Sequence, residues 1–175
     1  RRARGGGGRR RLNATTGSEK VYIMDHASCV VISHTRMKCD MPEGAGPTFK
    51  VVLNIAGQSS IETAMSYGRP VVTKILDSKT GEEITELDTR GGQLVTIQGK
   101  NLANTAAELG QVLLGSTELG TRVFATIPST AVLNEPGTCQ VKIASSAIEC
   151  VTPPGVLRGH MWSVQVGGQM SDPAW

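Results

Sequence analysis

Four cysteines fall in two local pairs, Cys29 with Cys39 and Cys139 with Cys150. A thiol can ligate zinc, act as a nucleophile or oxidise to a disulfide, and spacing separates these uses. Zinc sites draw on Cys-x-x-Cys or on histidines at fixed short intervals. This chain has no Cys-x-x-Cys, and His26, His34 and His160 stand in three different segments, none at ligand spacing. Each cysteine pair instead brackets a short β-like run, "CVVISHTRMKC" in one case and "CQVKIASSAIEC" in the other. In a hairpin of that length the two cysteines face each other across the strands and close a loop of roughly a dozen residues, worth on the order of 3 kcal/mol in chain entropy. Two disulfides, Cys29 to Cys39 and Cys139 to Cys150, are the expectation, and with them an oxidising compartment, extracellular or at the cell surface. The alternative is four reduced cysteines buried as small hydrophobes in a cytosolic protein.

Other chemistries find less support. No Gly-x-Ser-x-Gly elbow occurs. "GGQLVTIQGK" has glycines and a lysine, but no Ser or Thr follows and the glycines flank a strand rather than open a helix, so it is no phosphate loop. Glu82, Glu83, Glu86 and Asp88 make an acidic run whose spacing fits no EF-hand, and it reads as a solvated loop. The expectation is therefore no catalytic residue, no cofactor and no metal. Asn13, in Asn13-Ala14-Thr15, is a candidate glycosylation site if this face is secreted.

Charge is unevenly placed. The formal net charge is +3, and removing the six arginines of "RRARGGGGRRR" leaves −3. A mildly acidic body with one basic tip is no nucleic-acid platform. No run of eighteen apolar residues is present, so no membrane-spanning helix and no membrane insertion are expected, and the first residues lack the apolar core of a signal peptide.

The elements that must position the cysteines repeat. Cys39 matches Cys150, Pro42 matches Pro153 and Gly44 matches Gly155, and the match runs on to the Gly-Gln pairs Gly57-Gln58 and Gly168-Gln169. The repeat length is that of one small β-sandwich rather than one turn of a solenoid. Hydrophobic content of 39% with only 3% aromatics points to aliphatic cores on strands. "FKVVLNI" alternates, with Val51, Leu53 and Ile55 on one expected buried face. In "QLVTIQG", Val95 and Ile97 point one way; in "MWSVQVGG", Trp162, Val164 and Val166 share a face. "NLANTAAELG" reads as a loop before a strand in spite of its alanines. The organisation expected is a flexible Arg/Gly-rich linker at 1–19, a first unit at 20–69 and a second at 70–175, joined semi-rigidly near Arg69 and Pro70.

From residue 70 to 171 the motifs "PVVTKI", "GGQLVTIQGKNL", "CQVKIASSAIECVTPPG" and "VQVGGQMS" follow one another in the order of the IPT/TIG domain, which this stretch resembles. That resemblance implies an immunoglobulin-like β-sandwich. Residues 20–69 resemble only the C-terminal half of such a domain, so the fold class expected is all-β: tandem sandwiches, the first incomplete, with the chain beginning inside the first. Within the motif Gly91 and Gly92 should take positive φ ahead of their strand, and the prolines after Cys150 should end the hairpin.

Three functions compete. A structural or adhesive unit of a large surface protein, such as an algal or ciliary one, agrees with repeat, cysteine pairs and sequon. Its partners would be other domains of the same chain, other protein subunits in a filament or surface assembly, and glycans. An IPT/TIG module accompanying a carbohydrate-active or carbohydrate-binding protein is the alternative. A transcription-factor DNA-binding or dimerisation domain is the third, opposed by the acidic body.

Overall fold

The computed structural model describes residues 20–23, 29–116, 123–128, 133, 135–156 and 159–174. Asn13, His26 and the whole expected linker lie outside them. Fifteen strands and no helix occur among the described residues. The first seven are β1 (Lys20–Ile23), β2 (Cys29–Ser33), β3 (Arg36–Cys39), β4 (Phe49–Val52), β5 (Asn54–Ile55), β6 (Gln58–Ser59) and β7 (Thr63–Met65). Eight more follow: β8 (Val71–Asp77), β9 (Leu94–Lys100), β10 (Leu109–Ser116), β11 (Val123–Pro128), β12 (Thr138–Ile143), β13 (Ala147–Val151), β14 (His160–Val166) and β15 (Gln169–Met170).

The last eight make an immunoglobulin-like sandwich of two four-stranded sheets, ordered β12-β13-β9-β8 and β11-β10-β14-β15. All of its ladders are antiparallel. Alternation along each strand sends one set of side chains between the sheets. From one sheet come Val72, Ile75, Val95, Ile97 and Ile148, and from the other Val112, Leu114, Trp162, Val164 and Val166, all in one buried cluster. Fully burying each such aliphatic side chain is worth about 1.5–3 kcal/mol. Val95 and Ile97 share the inner face of β9 as the alternation requires. Thr96, on the opposite face, is also buried: its hydroxyl shares a hydrogen bond of 2.6 Å with that of Ser78 and accepts another from Lys142 Nζ at 3.2 Å. The segment 101–108 is a turn before β10, not a helix.

Gly91 and Gly92 adopt φ of 69° and 79°. A Cβ on Gly91 would meet the Pro153 carbonyl carbon at 2.5 Å, so the turn before β9 and the prolines after Cys150 are packed backbone against backbone.

Strands β1, β4 and β7 form a three-stranded sheet in which β1 runs parallel to β4, while β2 with β3 and β5 with β6 are two-stranded ladders. The expected buried face of Val51, Leu53 and Ile55 is only partly realised: Val51 and Leu53 are half-buried, but Ile55 is 59% exposed. The cause is that β5 pairs with the two residues of β6 alone. Val30, Val31 and Ile32 are exposed too. The hairpin β12-β13 is flanked by β9, whereas no described strand flanks β3.

The backbone repeats what the sequence repeats. Leu53 N donates to Ser60 Oγ (3.0 Å) and Ser60 N to the Leu53 carbonyl (2.7 Å); Val164 N donates to Ser171 Oγ (2.9 Å) and Ser171 N to the Val164 carbonyl (2.9 Å). Between these anchors lie two-residue turns with positive φ at both positions, 51° and 83° at Ala56 and Gly57, 55° and 86° at Gly167 and Gly168. Thr63 opposes Val51 as Ala174 opposes Trp162, at the same offset.

Candidate functional site

Both cysteine pairs are directly opposed across their hairpins, and both are disulfides, Cys29 with Cys39 and Cys139 with Cys150. Their surroundings differ. Cys139 and Cys150 have no solvent exposure and belong to the sandwich core; Cys29 and Cys39 are half-buried in a two-stranded ribbon. Among the described residues, the histidines and acidic residues, which the sequence left without a site, do not converge. His34 sits in the exposed turn between β2 and β3, and His160 opens β14. Glu83 pairs with Lys74, and Asp88 with Arg90 at 2.9 Å. The Arg90 side chain, and then its backbone N–H, lower the Asp88 carboxyl from 3.8 to about 2. Burial pushes Glu149 up, but hydrogen bonds from Lys142 and Ser78 outweigh it and leave its carboxyl below the usual range. No group of three or more His, Cys, Asp or Glu among the described residues could hold a metal. No helix among them is long and apolar enough to cross a membrane.

What the structure does bring together is a joint between the N-terminal strands and the sandwich. The turn "MPEGAGPT" folds so that Ala45 and Gly46 are buried, with Ala45 a member of the sandwich's own core cluster. Gly167 receives it: a Cβ there would fall 2.6 Å from the Ala45 carbonyl carbon and 2.7 Å from Gly46 N. Tyr67 ties the turn from the other side. Its N–H donates to the Gly46 carbonyl at 3.1 Å, its hydroxyl to the Pro42 carbonyl at 2.8 Å, and its ring packs on Phe49 with centroids 4.7 Å apart.

Three side chains then cross the joint. Arg69 donates to the Met170 carbonyl at 2.9 Å, with Asp172 beyond it at 3.6 Å. Asn101 Nδ2 donates to the Arg69 carbonyl at 3.0 Å, and Gln169 Nε2 to the Tyr67 carbonyl at 3.3 Å. Asn101 itself is left-handed (φ 55°), a conformation asparagine tolerates well. These bonds end on backbone carbonyls, which fixes the position of the chain rather than the identity of any ligand.

Beside the joint lies a cleft of about 310 Å³, with Glu43, Tyr67, Asn101, Asn104, Ser145 and Gln169 in its wall. No histidine, lysine or cysteine lines it, and its polar groups are the carboxylate of Glu43 together with amides and hydroxyls. Sequence reasoning placed a semi-rigid boundary at Arg69 and Pro70 but missed Ala45, Tyr67 and Asn101. The available signal was the doublet Gly167-Gly168 standing where the earlier copy has Ala56-Gly57.

No curated protein and no solved structure matches the chain. A family model does match, the IPT/TIG domain, over residues 83–174, just over half of the chain. The matched span starts within the β8–β9 connection and takes in the sandwich strands β9 to β15, the Cys139–Cys150 clamp and the Gly167-Gly168 turn that closes the joint. On that span, the chain belongs to the IPT/TIG domain family.

Proposed function

We propose that the chain is a non-enzymatic structural and adhesive unit of a multi-domain extracellular or cell-surface protein, acting as a disulfide-stapled spacer and protein-contact element. Residues 70–175 are one IPT/TIG module and residues 20–69 the C-terminal half of another in tandem with it. The observation that carries this is the joint: Ala45 enters the core cluster of the sandwich, and Arg69, Asn101 and Gln169 hold its rim on backbone carbonyls. A joint of that kind holds two units at one angle, which is what a spacer requires and a flexible tether lacks. The hairpin disulfides support the extracellular setting. Peptide mapping without reductant, on protein isolated from its native source, tests the reading. Cys29–Cys39 and Cys139–Cys150 should both be recovered as linked peptides; recovery of four free thiols would remove the extracellular assignment.

A further inference from the structure

The joint is made by a loop that follows a cysteine hairpin, and the chain has that loop twice. Pro42, Gly44 and Ala45 correspond to Pro153, Gly155 and Val156. Downstream of the two loops the structure keeps the same offset, in the positive-φ turns, the serine-anchored hydrogen bonds and the bridges Val51 to Thr63 and Trp162 to Ala174. Yet the two loops end in opposite environments: Ala45 is 7% exposed and Val156 70%. The second loop is not slack. Gly155 N donates to the Thr89 carbonyl at 3.0 Å, and Gly91 lies against Pro153 and Pro154. A valine is thus held outward where its counterpart is covered.

We propose that Pro153–Val156 is the docking seat for a further IPT/TIG module that follows Ala174 in the same polypeptide, received by a Gly-Gly turn as Gly167-Gly168 receives Ala45. This rests on reading residues 20–69 and 70–175 as modules of one family. A second copy of this chain is the poorer occupant. Its Gly167-Gly168 turn is already filled by its own Ala45, and its other such turn begins with Ala56, which places a Cβ where Gly167 has none. The seat also specifies the turn it takes: glycine is needed at its first position, because a Cβ on Gly167 would fall 2.6 Å from the Ala45 carbonyl carbon and 2.7 Å from Gly46 N.

The bridge Trp162 to Ala174 repeats Val51 to Thr63, so the register for an added module is set: residues 64–175 joined directly after Ala174. Val156→Cys, made in the original and in the extended chain, reports on the seat through its rate of maleimide labelling. In the extended chain labelling should slow at least tenfold. Gly167→Ala in the added copy should restore the fast rate, and amide exchange at Gly155 and Val156 in the unsubstituted extended chain should slow in parallel. Equal labelling and equal exchange in the two chains would overturn the proposal. If the thiol of Val156→Cys in the original chain became protected as protein concentration rose, the choice of occupant would be overturned in favour of a second copy. Ala45→Cys in the original chain separates this from the underlying reading. Free labelling of that variant would mean that the existing joint does not hold. Protection of Ala45→Cys, together with fast labelling of Val156→Cys in the extended chain, sinks only the seat.

Discussion

Gly167 lies so close to Ala45 that the two residues share one surface, with no room for a Cβ on the glycine. The counterpart turn carries Ala56 at φ 51° on an exposed surface. The same backbone conformation is therefore under a packing constraint in one place and under none in the other.

Substitutions at these two positions should act with opposite signs. Gly167→Ala adds a left-handed alanine and a clash with backbone atoms, and should cost about 2–4 kcal/mol. Ala56→Gly removes the left-handed penalty and should gain up to about 1 kcal/mol. Chemical denaturation checks both, and limited proteolysis near Arg69 should accelerate in Gly167→Ala alone.

The two disulfides should differ in reactivity. Cys139 and Cys150 are wholly enclosed, so thiol reagents reach them only through opening of the sandwich, while Cys29 and Cys39 are half-buried in a two-stranded ribbon. Under mild reductant followed by alkylation, mass spectrometry should find Cys29 and Cys39 modified first. Replacing Cys139 and Cys150 together by alanine should cost about 2–4 kcal/mol in the sandwich's unfolding.

Trp162 is 2% exposed and holds Ala174 by two backbone hydrogen bonds of 2.7 and 2.9 Å. Trp162→Ala should lower stability by about 3–5 kcal/mol. Urea unfolding followed by circular dichroism measures this, and Trp162→Phe should lose distinctly less.

Acid should act through Asp88. Its carboxyl is held at about 2 against an ordinary 3.8, by the side chain of Arg90 and then by its N–H. Because the folded value is depressed, the contribution is present above pH 3.8 and disappears as pH falls towards about 2. Asp77 shifts in the same direction, through the backbone N–H of Thr80 and then that of Lys79. Carboxyl NMR titration should place the Asp88 midpoint well below that of an unpaired aspartate, and Arg90→Ala should raise it.

Much of the fold was legible because local rules and tertiary packing agree. Alternation in "QLVTIQG" and "MWSVQVGG" marks core strands that are sandwiched between two sheets, so the inward residues are those the pattern names. It misled at Ile55, where the same alternation continues into a strand whose one neighbour among the described residues is the two-residue β6, and Ile55 stays exposed. The joint was harder to see. Ala45, Tyr67 and Asn101 are ordinary residues in loops, and their roles depend on backbone carbonyls that no residue type announces.

The chain by itself determined the strands, the cysteine hairpins and the repeat, since each rests on contacts between residues near one another or on the period of a single strand. Only the tertiary structure decided which copy of the loop is covered. Ala45 and Val156 occupy matching positions in the sequence, six residues after Cys39 and Cys150, and burial came to the one that lies against the Gly167-Gly168 turn.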